Sequence, residues 1–298
     1  MTASANGRPA VGVIGAGAMG MGVARSLLRA GFPVHVRDIR SGAEAEAESL
    51  GATAHASPAS VVAVCPISIV LVVDATQVDD VLFGNGGATS AGVRGHLVLI
   101  GSTIAPEDVA RFAQRAAKFD LEVVDTPVSG GPARAAEGTM TVMAAGRAAA
   151  LDRCAPVFGA IAGKVFPVGT KPGDAARFKV INNMLAAVNL AAGAEALALA
   201  AKAGLDPRLV LDVVNASSGA SWIVADRMPR ALARDYVPRA ASRILAKDVA
   251  LAVELAQRHG IDSHFANAAR AAFDATVAAG FAEHDDAAIY EWNLKRKR

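Results

Sequence analysis

Over the first 170 residues, short apolar runs recur at intervals too long for hairpins. Residues 11–14, 34–37, 67–73, 97–100, 122–125, 140–144 and 165–168 read as strands, and several are apolar at successive positions, as parallel strands covered on both faces are. Between them the apolar spacing widens to the helical period. Residues 19–30 form one such segment, ended by Gly31, and residues 106–118 another, with Pro106 in the first turn. The alternation predicts βαβ units stacked into a doubly wound α/β sheet.

Beyond Pro172 the pattern changes. Valine, isoleucine and glycine punctuation gives way to alanine-rich sequence with few strand signals. Residues 174–203 contain no proline and predict one long helix ended by Gly204, followed by helices over 207–215 and 243–258, the last ended by Gly260. The chain thus reads as a sheet domain over 1–170 and an all-helical domain over 171–298, joined by the long helix. A length of 298 residues with 53% apolar and 19% charged positions suits two globular cores.

The charge balance removes several function classes. Thirty basic and 28 acidic residues leave a net charge of +2, without the basic surface a nucleic-acid binder needs; the one basic run, residues 295–298, reads as a solvated tail. Cys65 and Cys154 are too few for a disulfide framework and read as small apolar residues in a reducing compartment. The N-terminus lacks the apolar core of a signal peptide, and the run 61–73 is too short and interrupted to span a bilayer. A soluble, cytoplasmic protein without membrane or nucleic-acid partners is expected. The six histidines show no metal-ligand spacing, so no metal is expected. His259 and His264 sit most simply around a helix end, and Trp222 reads equally as a pocket wall or as core.

The chemistry begins at Gly15-Ala16-Gly17-Ala18-Met19-Gly20, directly after the first strand and opening the first helix. The first glycine permits a tight turn, the second lets backbone approach a pyrophosphate, and the third packs helix on strand; the helix start offers N–H groups to the phosphates. Gly15, Gly17, Ala18, Met19 and Gly20 are therefore candidate cofactor residues. Asp38, 18 residues beyond Gly20 at the end of the second strand, is placed to bind both ribose hydroxyls. Its charge favours NAD over NADP, although Arg37 and Arg40 flank it and either could meet a 2′-phosphate.

Three later segments carry reactive side chains. Ser129-Gly130-Gly131 follows a strand and can turn its N–H groups and hydroxyl onto a small carboxylate; the bland alternative is an ordinary glycine turn. Lys179 and Asn183, four apart near the start of the long helix, share one helical face. There the ammonium could exchange a proton with a hydroxyl while the amide orients the substrate, or the lysine could simply reach to solvent over an apolar seam. Lys247-Asp248 interrupts an apolar helical face, either as a solvated pair or to bring Lys247 to the cofactor.

These four segments, in this order, resemble the signatures of the β-hydroxyacid dehydrogenase family, which includes 3-hydroxyisobutyrate dehydrogenase, tartronate semialdehyde reductase and L-threonate dehydrogenase. The resemblance runs from Val11 to about Trp292. It implies a Rossmann-type domain followed by a helical one, assembled as dimers or tetramers. It implies NAD(P)-dependent hydride transfer at the β-carbon of a small 3-hydroxy acid or its semialdehyde. Lys179 would then be the general acid/base, Ser129, Gly130, Gly131 and Asn183 would bind substrate, and Thr103 and Lys247 would meet the cofactor. Ala175 stands where the family commonly has the second glycine of a Gly-x-Gly, here Gly173-Asp174-Ala175, which bears on the local turn. Imine reductases share the two-domain plan but typically lack the lysine. Non-catalytic dinucleotide-sensing relatives are the rival from outside the enzymes, and there too loss of the lysine would be the sign.

Overall fold

The computed structural model describes residues 7–296; residues 1–6 of the polar N-terminus and Lys297-Arg298 of the basic tail lie outside it. The chain divides into two compact units, 1–179 and 180–298.

The first unit runs β1 (Val11–Ile14), α1 (Ala18–Arg29), β2 (Val34–Arg37), α2 (Ser41–Ser49), β3 (Thr53–Ala54), α3 (Pro58–Val64), β4 (Ile67–Val70), α4 (Ala75–Phe83), β5 (His96–Ile100) and α5 (Pro106–Ala117). It continues through β6 (Leu121–Asp125), β7 (Val128–Ser129), α6 (Gly131–Glu137), β8 (Met140–Ala145), α7 (Ala148–Ile161) and β9 (Ala162–Gly169). The sheet order is β3-β2-β1-β4-β5-β6-β8-β7, with β9 on β8. Its first six strands are parallel, in the doubly wound arrangement the apolar rhythm predicts.

Departures follow the sequence's own breaks. The apolar run at 61–73 is the end of α3 and then β4, parted at Pro66, because proline cannot carry a helix onward. β8 runs antiparallel to β6 and β7, pairing with β6 at Asp125 and with β7 at Val128 and Ser129, so the sheet changes from parallel to mixed after β6. Helices cover both faces. One apolar cluster holds Val11, Val13, Leu27, Val36 and Ile69; the other holds Ile14, Val62, Val70, Ile100 and Phe112. Successive residues of β1 therefore face opposite cores, which is why its run is apolar throughout. Cys65 and Cys154 are buried, and burial pushes both thiols up to about 12, the behaviour of inert packing residues.

The long helix α8 (Asp174–Lys202) passes from the first unit into the second. The second unit continues with α9 (Pro207–Asn215), α10 (Trp222–Leu232), α11 (Ser242–Arg258), α12 (His264–Thr276) and α13 (Ile289–Lys295), with no strand among its described residues. By length and composition α8 could cross a membrane. In the second unit its Ala187, Leu190, Ala194 and Leu197 pack into the core with Met228, Val249 and Phe273. Arg227 on α10 donates to Asp286 at 2.8 Å, and Arg230 to Asp285 at 2.9 Å, so buried ion pairs fix α10 to the segment before α13. His259 and His264 flank the connection from α11 to α12, as their spacing suggests.

Candidate active site

The turn from β1 into α1 has the construction a dinucleotide needs. Gly15 has φ +94°, and a Cβ there would fall 2.4 Å from the Leu71 carbonyl oxygen. A Cβ on Gly20 would fall 1.8 Å from the Gly15 oxygen, so only glycine lets α1 lie this close to β1. At Gly17 a Cβ would meet nothing nearer than Arg40 Nη2, at 3.8 Å, which leaves the approach to the helix start open. Gly17 is the N-cap and provides no side-chain cap, so the first-turn N–H groups of Ala18, Met19 and Gly20 have no capping side chain of their own. An anionic group fits that end, and the residues present suit a pyrophosphate. Arg25, Arg40, Glu46 and Pro132 help line a cavity of about 700 Å³ beside this turn.

Asp38 closes β2 and is buried. Its Oδ2 accepts the Ala16 N–H at 2.7 Å, while Oδ1 accepts the Arg40 N–H at 2.9 Å and Arg40 Nε at 3.1 Å. Burial alone would raise its carboxyl, but the Arg40 guanidinium and these N–H groups together hold it below the ordinary carboxylate value. Of the two flanking arginines, Arg40 therefore lies on Asp38, and Arg37 turns to Glu44 at 2.7 Å. Sequence spacing does not reveal this neutralisation.

Thr103 lies half-buried in the loop after β5. Its neighbour Ser102 is buried, accepting the Val72 N–H at 2.9 Å and tying that loop to the one after β4.

After β6 the chain makes the short strand β7 and then turns at Gly130 and Gly131, with φ of +131° and +74°. These two left-handed positions explain the paired glycines, and Ser129 beside them is half-buried and paired with Thr141. Asp125, at the end of β6, does not point into this turn. Its Oδ2 accepts the N–H of Gly173 at 2.8 Å and of Ala176 at 2.9 Å, capping α8 from a distant strand. Burial pushes Asp125 up to about 6 against the pull of those N–H groups. Ala175, at the family's second glycine position, is buried, and Asp174 before it accepts the Lys171 N–H on its Oδ2 at 3.1 Å and pairs with Arg177 at 2.8 Å.

Lys179 follows on α8, 8% exposed, and Asn183 lies one turn further at the same exposure. The buried carboxylate Asp248 accepts Asn183 Nδ2 at 2.7 Å, and Lys247 Nζ lies 2.7 Å from its other oxygen. Asn182 Nδ2 donates to Asn183 Oδ1 at 3.1 Å. The Asn183 amide is thus held at both ends, and the Lys-Asp pair joins a network whose centre, Asn183 and Asp248, is buried while Lys247 is half-buried. The sequence marks Asp248 only as the neighbour of Lys247; its hold on Asn183, 65 residues away, is not legible there. Trp222 opens α10 at 51% exposure, which excludes the core alternative. The fold also brings together two histidines distant in sequence: Nδ1 of His35, on β2, and Nε2 of His55, just after β3, lie 2.8 Å apart. Among the described residues no three His, Cys, Asp or Glu side chains gather as metal ligands.

Comparison with known proteins extends these features along the whole chain. Residues 10–169 match the NAD-binding domain of 6-phosphogluconate dehydrogenase, and residues 173–293 match the NAD-binding domain of NADP-dependent 3-hydroxyisobutyrate dehydrogenase. The chain is 41% identical to the L-threonate dehydrogenase of Cupriavidus necator over 94% of each protein. It is 32% identical to the 2-hydroxy-3-oxopropionate reductase of Escherichia coli K12, over 94% of this chain and 96% of that protein. The crystal structure of a 3-hydroxyisobutyrate dehydrogenase from Salmonella typhimurium superposes with a TM-score of 0.90 at 38% identity, over 95% of this chain and 99% of that one. With a dinucleotide turn built as the chemistry requires and likeness at this level throughout, the chain belongs to the β-hydroxyacid dehydrogenase family of NAD(P)-dependent oxidoreductases.

Proposed function

We propose that the protein oxidises a small polyhydroxy acid of the threonate class, or reduces the corresponding carbonyl acid, with Lys179 as general acid/base. The observation that carries this reading is the buried Lys179 one helical turn from an Asn183 amide fixed by Asp248. Lys179 takes the substrate hydroxyl proton in oxidation and returns it to the alkoxide in reduction. Asn183 spends one N–H on Asp248 and keeps the other for the substrate. Ser129, Gly130 and Gly131 hold the carboxylate, which fixes the reacting carbon. NAD, when bound, supplies the hydride acceptor or donor. Gly15, Gly17, Ala18, Met19 and Gly20 hold its pyrophosphate, Asp38 its ribose, and Thr103 and Lys247 its nicotinamide half. The functional division into a cofactor domain over 1–170 and a substrate and assembly domain over 171–298 belongs to the same reading. So do a cytoplasmic location and a homodimeric or homotetrameric state, the latter supported by large apolar side chains exposed on the second unit.

The threonate class is favoured by the relative named L-threonate dehydrogenase at 41% identity. Threonate carries hydroxyls on both its α- and β-carbons, and identification of the oxidation product decides between them. The test is NAD⁺ and NADP⁺ reduction with threonate, glycerate, 3-hydroxyisobutyrate, 3-hydroxypropionate and 4-hydroxybutyrate. Lys179→Ala is expected to lower kcat roughly 10²–10⁴-fold with NAD⁺ affinity unchanged. Full activity in that variant removes the assignment of Lys179, and silence across the acids and their carbonyl forms removes the substrate class.

A further inference from the structure

Asp125 is the buried acid that the chemistry above leaves without a role. It ends β6, in register with Ile100 of β5 and Ala145 of β8, where the parallel part of the sheet meets its antiparallel part. Two structures leave from this point. The backbone runs on through Thr126, held by its N–H to the Ile100 oxygen at 2.9 Å, and Pro127, whose oxygen accepts the Met143 N–H at 3.1 Å, to Ser129, Gly130 and Gly131. The side chain turns the other way, and a single oxygen takes the N–H groups of Gly173 and Ala176, 48 and 51 residues later. Those are the N-cap and third positions of α8, the two donors that a capping box satisfies with two separate side chains. Asp174 already spends its own carboxylate on Lys171 and Arg177. The cap therefore comes from the sheet. Gly173 adds a second constraint: it holds φ +100°, and a Cβ there would fall 2.7 Å from the Pro106 oxygen, so the chain enters α8 along one path. Lys179 lies one turn beyond Ala176 on this first stretch of α8.

We propose that Asp125 is a positioning residue for the reaction, setting the start of α8, and with it Lys179, in fixed register with the Ser129–Gly131 turn. This rests on the roles given above to Lys179 and to that turn. A general acid/base works only within hydrogen-bond reach of its proton, and a shift of about 1 Å costs on the order of 100-fold. A carboxylate shared between the strand leading to the carboxylate turn and the helix bearing the lysine removes that freedom without touching substrate.

The experiment compares Asp125→Ala, Asp125→Asn and Lys179→Ala for kcat, KM and NAD⁺ dissociation constant, well below each unfolding midpoint. Asp125→Ala is expected to lower kcat roughly 10- to 100-fold while NAD⁺ affinity stays unchanged. Asp125→Asn, whose Oδ1 can accept the same two N–H groups, is expected to recover most of the loss. Asp125→Ala with kcat within about two-fold of the parent, in a protein that loses activity on Lys179→Ala, overturns the proposal and leaves the function standing. Equal loss in the alanine and asparagine variants also overturns it, because the negative charge rather than the hydrogen-bonding geometry would then be at work. Activity retained in Lys179→Ala overturns both readings. Should Asp125→Ala not fold, Asp125→Glu moves the carboxylate by one methylene: a lowered kcat with unchanged NAD⁺ affinity supports the proposal, and an unchanged kcat overturns it.

Discussion

Asp38 is solvated by protein before any nucleotide meets it. Four N–H donors occupy its two oxygens, three of them from Arg40, so a ribose diol has to take the place of the Arg40 side chain. The same guanidinium offsets the charge by which Asp38 would repel a 2′-phosphate. Cofactor choice is therefore set by the pair rather than by Asp38 alone. Arg40→Ala is expected to raise the NAD⁺ to NADP⁺ ratio of kcat/KM by roughly tenfold, about the contribution of one hydrogen bond to a charged group. Equal ratios in variant and parent would assign Arg40 no part in the choice. This is also where the legibility of the sequence ends at the residue scale. Gly15, Gly17, Gly20 and Asp38 can be read from spacing because a turn, a helix start and a strand end are local events. Arg40 folding back on Asp38, Asp248 holding Asn183 across 65 residues, and Asp125 capping a helix 48 residues away are matters of side-chain direction and tertiary approach.

Elements divide along similar lines. Most strands of the parallel half are legible as apolar runs, because burial on both faces makes them so, and α8 because thirty residues without proline leave little else; the two-residue β3 is too short to make such a run. β8 is legible as a strand over 140–144, but its antiparallel direction and the two-residue β7 are not: strand direction depends on pairing, which an apolar pattern does not encode. Nor does composition show what fixes the helices of the second unit. Arg227 is 9% exposed, pairs with Asp286 and Asp226, and sits beside the Arg230–Asp285 pair. Burial pushes Asp286 up to about 7 even with Arg227 against it, which marks the site as strongly desolvated. An ion pair in such a place adds little net stability, but losing one partner strands the other. Arg227→Met is expected to lower unfolding free energy by about 3–5 kcal/mol in urea titrations. The double variant Arg227→Met with Asp286→Leu is expected to recover much of that loss. A single variant as stable as the parent would show that water reaches the site and that the pair does not hold α10 in place.

At the scale of the molecule, the second unit leaves more apolar surface uncovered than its own core requires. Leu199, Leu205, Leu209, Val213, Ile261 and Phe265 are each 57–77% exposed. Leu209 and Val213, four apart, occupy one face of α9, whose opposite side supplies the buried Leu211. Single exposed leucines are ordinary on a monomer, but these six are among ten large apolar side chains exposed within a unit of 119 residues, the kind of surface an interface covers. A second copy of the chain is the occupant we expect, because the reaction assigned to this protein needs no other macromolecule. The enzyme should then run as a dimer or larger assembly in size-exclusion chromatography with light scattering. Leu209→Glu, a charge placed on an apolar face that carries none of the proposed catalytic groups, should shift it toward the monomer. A monomeric parent at micromolar concentration would remove the second copy as occupant. A parent assembly unaffected by Leu209→Glu would move the contact away from α9 to the surface around Phe265 and Ile261.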